Sequence, residues 1–572
     1  MKLHRLIALG TCVAALFATA AFAAPKYVQV KPMSELVQAA VGDVKDGPRK
    51  LPVITWGADI RTVYANGNVE RTAKGSLFDQ LGLDLQLVRE DVFARQLESY
   101  LRGDTPYLRG TMGMINMALD ALGGDPRAKP VVIYQLSWSA GGDALVVKPG
   151  IKAAQDLKGK TIALQAYGPH VDYLGKLLKD AGLSFADVNL VWLPDLTGTD
   201  NTPMAAFYEG NVDAALVIIP DALLLSSGGN VGSGAEGSVK GAKILLSTKT
   251  ANRIIADVYA VRSDFLKAHP DEVQTLVHGL MKAQEAMAKL VASRATQADD
   301  YRNAMRGAAK LLLDSPDAVE DTEAMYADAE HVDYAGNVKF FTDTHYPRGM
   351  ERLTAEIQAA LAPLGLTGGQ ATLGHANLDY NALRSGLTRL AAAESPRFDS
   401  AKVATVVAKK QQQGTLGDDA LFDFEVFFQP NQKSFSADMY QTEFDQVIDY
   451  AFTYGGALIT VEGHSDPMQY LKLKKKGASE VELRRTRQSA KNLSLARAMA
   501  VRDAVIEYAA GKGVPLDPTQ FAVVGQGIEA PKSGVCGADP CAPQNEQQWR
   551  DNMRVQFRII QVEAEAEVFQ PL

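Results

Sequence analysis

The stretch AAQDLKGKTIALQAYGPHVDYLGKLLKDAG, residues 153–182, decides how the first two thirds of this chain fold. KTIAL is a short β-rich run. It leads to Tyr167-Gly168-Pro169-His170, where Pro169 suits the first turn of a helix because its missing N–H would have no intrahelical partner there. VDYLGKLLKDAGL then repeats apolar residues at helical spacing. Strand, turn and helix in thirty residues form the unit of an α/β fold, and the free backbone N–H groups at such a helix start suit an anion or polar ligand.

The same alternation extends on both sides, from about 52 to 261. LPVITW, LDLQLV, KPVVIYQL, DALVVK, VNLVWL, VDAALVII and IADVYAV are further strand candidates, with amphipathic segments such as VFARQLESYLRG between them. The pattern predicts an α/β fold with mostly parallel sheets. After Ser263 the chain turns helical, through SDFLKAHPDEVQTLVHGLMKAQEAMAKLVA towards GMERLTAEIQAALAPLGL, a helical layer for those sheets. The Gly-rich SSGGNVGSGAEGSVKG, 226–241, reads as a mobile surface loop, since it has too little apolar surface to offset its own ordering.

At 408–419, AKKQQQGTLGDD breaks the composition and reads as a linker. Beyond it, LFDFEVFF puts Phe422, Phe424, Val426 and Phe428 on one face of a strand, with Asp423 and Glu425 on the other. Phe444, Val447, Ile448, Ala451 and Phe452 follow helical spacing. Then come the strand in LITVEGHSDP (458–467), a long helix to about Ala510, and the strands FAVVGQG and MRVQFRIIQV. The order β-α-β-α-β-β over 420–562 predicts a compact α/β sandwich with one helical layer, followed by a tail at 563–572.

A chain of 572 residues calls for three or four structural units. Its first 23 residues carry Lys2 and Arg5, then an apolar stretch from Leu6, then Ala21-Phe22-Ala23. That is the layout of a secretory signal cut after Ala23, which makes the mature protein exported and soluble. The 59 basic against 67 acidic side chains give a net charge of −8, or −10 without Lys2 and Arg5, a poor match for nucleic acid. Export leaves Cys536 and Cys541 in GVCGADPCAP, which read as a small disulfide in an oxidising compartment. A zinc site would need two further ligands nearby.

The long C-terminal helix carries one residue out of pattern. With Leu493 at 0°, Ala500, Ala504, Tyr508, Val501 and Val505 form one apolar stripe, and Arg497 falls inside it. A buried-face arginine is costly unless a partner or ligand receives it. Its natural counterpart is Asp466, at the end of the 458–467 strand. The two suit a zwitterion, with ammonium on Asp466 and carboxylate on the Arg497 fork; the competing reading is an internal salt bridge between them. His464 reads as a turn histidine, since only Asp466 stands at metal-ligand spacing.

VEGHSD, NLSLARAMAV, VVGQGIEAP and RDNMRVQF resemble, in order and residue type, the C-terminal peptidoglycan-binding domain of the outer-membrane protein A family. The resemblance implies that Asp466 and Arg497 hold the zwitterionic end of diaminopimelate, with Asn492 and Arg554 lining the same pocket. It implies a periplasmic protein associated with the cell wall or outer membrane of a Gram-negative bacterium. One departure is a longer segment between Pro467 and Asn492, basic over 471–491 with eight Lys/Arg against two Glu. Ser479-x-x-Glu482 is a capping-box pattern that starts the long helix about three turns early. The basic segment reads either as a contact for anionic wall polymer or lipid headgroups or as a solvated helical extension.

DLKGKTIAL and GNVDAA resemble the solute-binding proteins of ABC importers for nitrate, sulfonates and taurine, over about 51–366. The resemblance implies a type II periplasmic-binding-protein fold within 24–407. Lobe one would take about 50–140 and 250–385, lobe two about 145–245, with a cleft between. Candidate solute contacts are Trp56, Asp59, Met114, Tyr167, His170 and Asp221. Core packing competes for Trp56, and helix capping for Asp59 and Asp221. The expected protein is a non-enzymatic receptor for a small polar or anionic solute, with no cofactor, catalytic group or metal. It would pass its solute to an inner-membrane permease or sensor. The alternative is an envelope scaffold whose binding-protein half is a protein-interaction module.

Overall fold

A computed structural model describes residues 24–368, 372–390, 398–414, 416–417, 420–428 and 440–560. The signal stretch 1–23 and the tail 563–572 lie outside the described residues. In chain order the strands of the first part are β1 Arg49–Val53, β2 Leu85–Arg89, β3 Tyr107–Thr111, β4 Pro130–Ser139, β5 Asp143–Val147, β6 Thr161–Gln165, β7 Asn189–Leu193, β8 Ala214–Ile218, β9 Lys243–Ser247, β10 Ala256–Arg262, β11 Ala329–His331 and β12 Gly374–His375.

They form two lobes. Lobe one has the order β11-β4-β10-β3, with β12 beside β4 and the parallel pair β1–β2 alongside. Lobe two has the order β7-β6-β8-β5-β9. The chain crosses between the two sheets twice, through 140–142 from β4 to β5 and through 248–255 from β9 to β10. The crossings correct the expectation of mostly parallel sheets. A strand that arrives from the other lobe enters its sheet reversed, so β4–β10, β3–β10, β5–β8 and β5–β9 are antiparallel. Only the strand–helix–strand units β1–β2 and β6–β7, the pair β6–β8 and the short β4–β12 contact keep parallel pairing here.

Helices cover both sheets. Val273, Leu276, Val277 and Leu280 of helix Pro270–Ala292 bury against Leu51, Phe78, Tyr134 and Tyr259. The 226–241 loop, read as mobile, is cross-tied: the Tyr208 hydroxyl donates to Gly237 O at 2.9 Å, Gly241 N donates to Gly232 O at 2.7 Å, and Gly232 N donates to Ala242 O at 2.7 Å.

The C-terminal domain adds β13 Ala420–Phe427, β14 Leu458–His464, β15 Phe521–Gly527, the short pair β16 Val535–Cys536 and β17 Asp539–Pro540, and β18 Arg554–Ile560. Its sheet runs β13-β18-β14-β15. Helices Gln441–Thr453 and Glu480–Gly511 bury Phe444, Val447, Val501 and Val505 on one face, against Val461, Val555 and Phe557. A close approach fixes the second helix on the sheet: a Cβ at Gly463 would come within 1.9 Å of the Ser494 carbonyl oxygen.

The single helical layer and the 408–419 linker both need correction. Helix Ser400–Gln413 lies on the opposite face, burying Val403 and Val407 against Leu458, Val524 and Ile560. Its polar end, Lys409 to Gln413, hides a helix whose apolar positions sit upstream. No helix among the described residues is long and apolar enough to cross a membrane.

Candidate functional site

Protein groups already engage most of the predicted solute contacts. Trp56 is half-buried, its indole N–H donates to Ser137 Oγ at 3.1 Å, and a Cβ at Gly142 would meet its ring at 2.4 Å. Asp59, fully buried, holds Arg109 through Nη2 at 2.7 Å and Nε at 3.1 Å, while Arg109 Nη1 reaches Asp257 at 2.8 Å. Burial pushes the Asp59 carboxyl up to about 6 against the opposing pull of that guanidinium. Met114 is a core residue at the start of helix Met112–Leu122.

Tyr167 stands apart. It takes a left-handed backbone conformation, φ 61°, and its hydroxyl is bracketed by the N–H and C=O of Lys31. His170, buried at the start of helix His170–Asp180, shares a 2.8 Å hydrogen bond between Nε2 and Asp143 Oδ1. Asp221 has one oxygen 3.5 Å from Thr197 Oγ1 and the other buried without a hydrogen-bond partner, and burial raises its carboxyl.

The sequence reading missed the groups that give this region its charge. Asp143 also accepts from Ser139 Oγ at 2.6 Å. Asp328 abuts Gly141, where a Cβ would meet its Oδ1 at 2.7 Å, and burial pushes its carboxyl up to about 6. Asp172 faces lobe one so closely that a Cβ at Gly113 would sit 2.2 Å from its Oδ1. Neither Asp172 oxygen has a hydrogen-bond partner, and burial pushes the carboxyl up to about 7. Asp143, Asp172 and Asp328 make this region acidic, and the buried arginines near it, Arg109, Arg253 and Arg348, each already hold a carboxylate, Asp257, Glu330 and Glu356 in turn. Arg109 itself had a sequence signal, a lone charge in the otherwise uncharged YLRGT.

In the C-terminal domain, Asp466 lines a groove of about 680 Å³ between helix Met468–Lys475 and the segment 543–549. Trp549, Lys472, Lys476 and Glu546 share its walls. Asp466 Oδ2 accepts from Met468 N at 3.2 Å, Oδ1 is buried without a hydrogen-bond partner, and burial raises the carboxyl. Arg497 is buried on its helix as the periodicity predicts, its guanidinium lies 5.2 Å from the Phe428 ring centroid, and burial lowers its pKa. No ion pair joins Asp466 to Arg497 among the described residues.

The other two pocket candidates point elsewhere. Asn492 is exposed and accepts from Gln488 Nε2 at 2.8 Å. Arg554 is buried with Nε on Glu425 Oε1 at 2.9 Å and Nη2 on Ala530 O at 3.3 Å. His464 is buried and held neutral, its pKa pushed down to about 2 by burial and the nearby Arg554 and Arg558. No three of His, Cys, Asp and Glu group as a metal site among the described residues.

The basic insertion forms helix Met468–Lys475 and the first turns of Glu480–Gly511, which Ser479 caps by accepting from Glu482 N. Cys536 and Cys541 form a disulfide that closes the β16–β17 hairpin. Asp539 of that hairpin receives the Tyr470 hydroxyl at 2.7 Å, the Lys474 ammonium and the Arg487 guanidinium. Lys472, Lys475, Lys476, Arg484, Arg485 and Lys491 remain on the surface.

Residues 78–290 match the family described as NMT1/THI5 like. A 158-residue stretch is 30% identical to the taurine-binding periplasmic protein of Escherichia coli (strain K12), covering 27% of this chain. The chain spans 44% of the length of that relative. Among solved structures, the alkanesulfonate-binding protein SsuA from Xanthomonas axonopodis pv. citri, bound to MOPS, is similar at 19% identity and a TM-score of 0.39, over 57% of this chain and 97% of that one. The desulfurization enzyme DSZB is similar at 18% identity and a TM-score of 0.36, over 59% of this chain and 98% of its own.

Proposed function

We propose that this chain is a periplasmic solute-binding protein whose C-terminal domain holds it to peptidoglycan. The identity with a taurine-binding periplasmic protein carries the first half of that reading. The interlobe charges narrow the solute. Asp59 and Asp257 already neutralise Arg109, while Asp143 pairs with His170, Asp221 lies within electrostatic range of that histidine, and Asp328 abuts the first crossing at Gly141. A solute bearing an ammonium group, zwitterionic as taurine is, suits those carboxylates better than a simple anion such as nitrate. Thermal shift against taurine, alkanesulfonates lacking the amine, and nitrate tests this. The expected result is stabilisation by the amine-bearing compound alone, about 2.7 kcal/mol at a hundredfold excess over Kd. Stabilisation by nitrate alone would reverse the assignment.

For the wall, the supporting observation is Asp466, an aspartate with a buried, unpartnered oxygen on the wall of an open groove. Asp466 would take the ammonium of diaminopimelate, and Arg497 a carboxylate. Co-sedimentation with purified sacculi should be lost in Asp466→Ala and Arg497→Ala; retention in both would put the wall contact elsewhere.

The scaffold reading keeps one specific support. Gly142 meets Trp56 and Gly113 meets Asp172 so closely that the interlobe surfaces are in contact. No thermal shift with any compound in the panel would favour it.

A further inference from the structure

Two segments outside the lobes run across the boundary between them. The first is the N-terminal stretch 24–45. Its beginning is held on lobe two, where Val28 N donates to Trp192 O at 2.9 Å, Lys26 N to Asn201 Oδ1 at 2.9 Å, and Lys31 brackets the Tyr167 hydroxyl. Its continuation is held on lobe one. Helix Met33–Leu36 packs on helix Met112–Leu122, and the Gly42 and Lys45 N–H groups donate to Leu101 O at 2.8 Å and Gly103 O at 3.0 Å.

The second is the C-terminal domain, through helix Gln441–Thr453 and the turn after it. On lobe two, Asp449 Oδ2 accepts from Lys176 Nζ at 2.7 Å, and the Tyr454 and Tyr450 hydroxyls donate to Asp180 Oδ2 at 2.6 Å and Asp180 O at 3.2 Å. On the lobe-one side, Phe452 stands edge-on to Tyr346 with centroids 5.8 Å apart, and the Lys339 ammonium lies over both rings. At the second crossing, Gly456 N donates to Thr250 O at 3.1 Å, and a Cβ on Gly456 would come within 1.8 Å of Lys249 O.

A buried ionic cluster joins these contacts. Lys176 also holds Asp180 at 2.7 Å and approaches Glu356 to 3.8 Å, and Glu356 takes Arg348 at 2.9 Å. Burial disfavours the Lys176 ammonium, but Asp180, Asp449 and Glu356 outweigh that and raise its pKa. Groups desolvated this way are satisfied in one arrangement only, so they fix how the domains dock more than how tightly. Helix His170–Asp180 connects the two regions, with His170 and Asp172 between the lobes and Lys176 and Asp180 under the C-terminal domain.

We propose that these two segments latch the lobes together, so that the lobes part only when helix Gln441–Thr453 leaves them. Departure of that helix is then a requirement for access to the region between the lobes, with the N-terminal stretch sliding as they part. Hinge opening moves one lobe against the other, and every contact that spans both must break or slide with it.

The test is electron–electron distance measurement on the full mature chain, with nitroxide labels on cysteines placed at exposed Lys74 of lobe one and Lys152 of lobe two; Cys536 and Cys541 are already joined to each other. The unaltered chain should give one narrow distribution. Asp449→Ala combined with Phe452→Ala should add a second population at changed distance, at least tenfold larger than any such component in the unaltered chain. If that variant fails to fold, Tyr454→Phe with Phe452→Leu weakens the same contacts and should give a smaller shift of the same sign. Unchanged distributions in folded variants would overturn the latch. The readout needs neither solute nor sacculi, so its outcome is independent of the proposed function.

Discussion

Asp172 is ionised only at a cost in the folded protein. An unfolded aspartate titrates near 3.8, and burial against Gly113 carries Asp172 to about 7. The folded state therefore holds a proton that the unfolded state has released between those values, and stability falls as pH rises through that window, then levels off above it. Asp172→Asn removes the penalty. It should raise stability at pH 8 by up to about 4 kcal/mol and flatten the decline between pH 4 and 7, as read by denaturant titration at several pH values. Asp466 gives the opposite dependence for binding. Its carboxyl must be ionised to take an ammonium and titrates above the usual range, so sacculus retention should fail on acidification sooner than an exposed aspartate would allow. Arg497 was legible in the sequence because a helix imposes a period, and a cation inside an apolar stripe breaks it. Asp172 was not, because its environment is a surface of the other lobe, sixty residues away. Tyr167 was misread for the same reason: its partner is the backbone of Lys31, which no local pattern signals.

Elements show the same division. Strands β1, β2, β4 to β8 and β10 announce themselves by β-rich runs between helical ones, whereas β3 and β9 did not stand out as strand candidates. The linker reading failed because Lys409 to Gln413 is polar while Val403 and Val407, which pin its helix to the sheet, precede it. Gly463→Ala is the sharpest test of how β14 meets helix Glu480–Gly511. The added methyl would stand 1.9 Å from a helix carbonyl, and the strain should cost about 2–3 kcal/mol in chemical denaturation. The β16–β17 hairpin is a milder case. Its disulfide spans five positions, and Cys536→Ser with Cys541→Ser should cost about 2 kcal/mol. The same change should loosen Lys474 and Arg487 from Asp539, which amide exchange in helix Met468–Lys475 would register.

At the scale of the whole molecule, one apolar cluster runs without a break from lobe two through helix Met350–Leu361 into the C-terminal sheet. Leu177, Leu353, Tyr450, Tyr454 and Phe422 all belong to it. Calorimetry should therefore show a single unfolding transition covering both halves. Gly456→Val, whose side chain cannot fit beside Lys249 O, should split it in two. Neither half of the sequence predicts this docking, because Lys176, Asp449 and Tyr454 each read as ordinary helix-surface or turn residues until the two surfaces meet. That seam has a mechanical meaning. A protein fastened by its C-terminal domain would feel a pull on that domain as shear along helix His170–Asp180 and the second lobe crossing. Force and opening would then act on the same row of contacts, from Asp449 to Gly456.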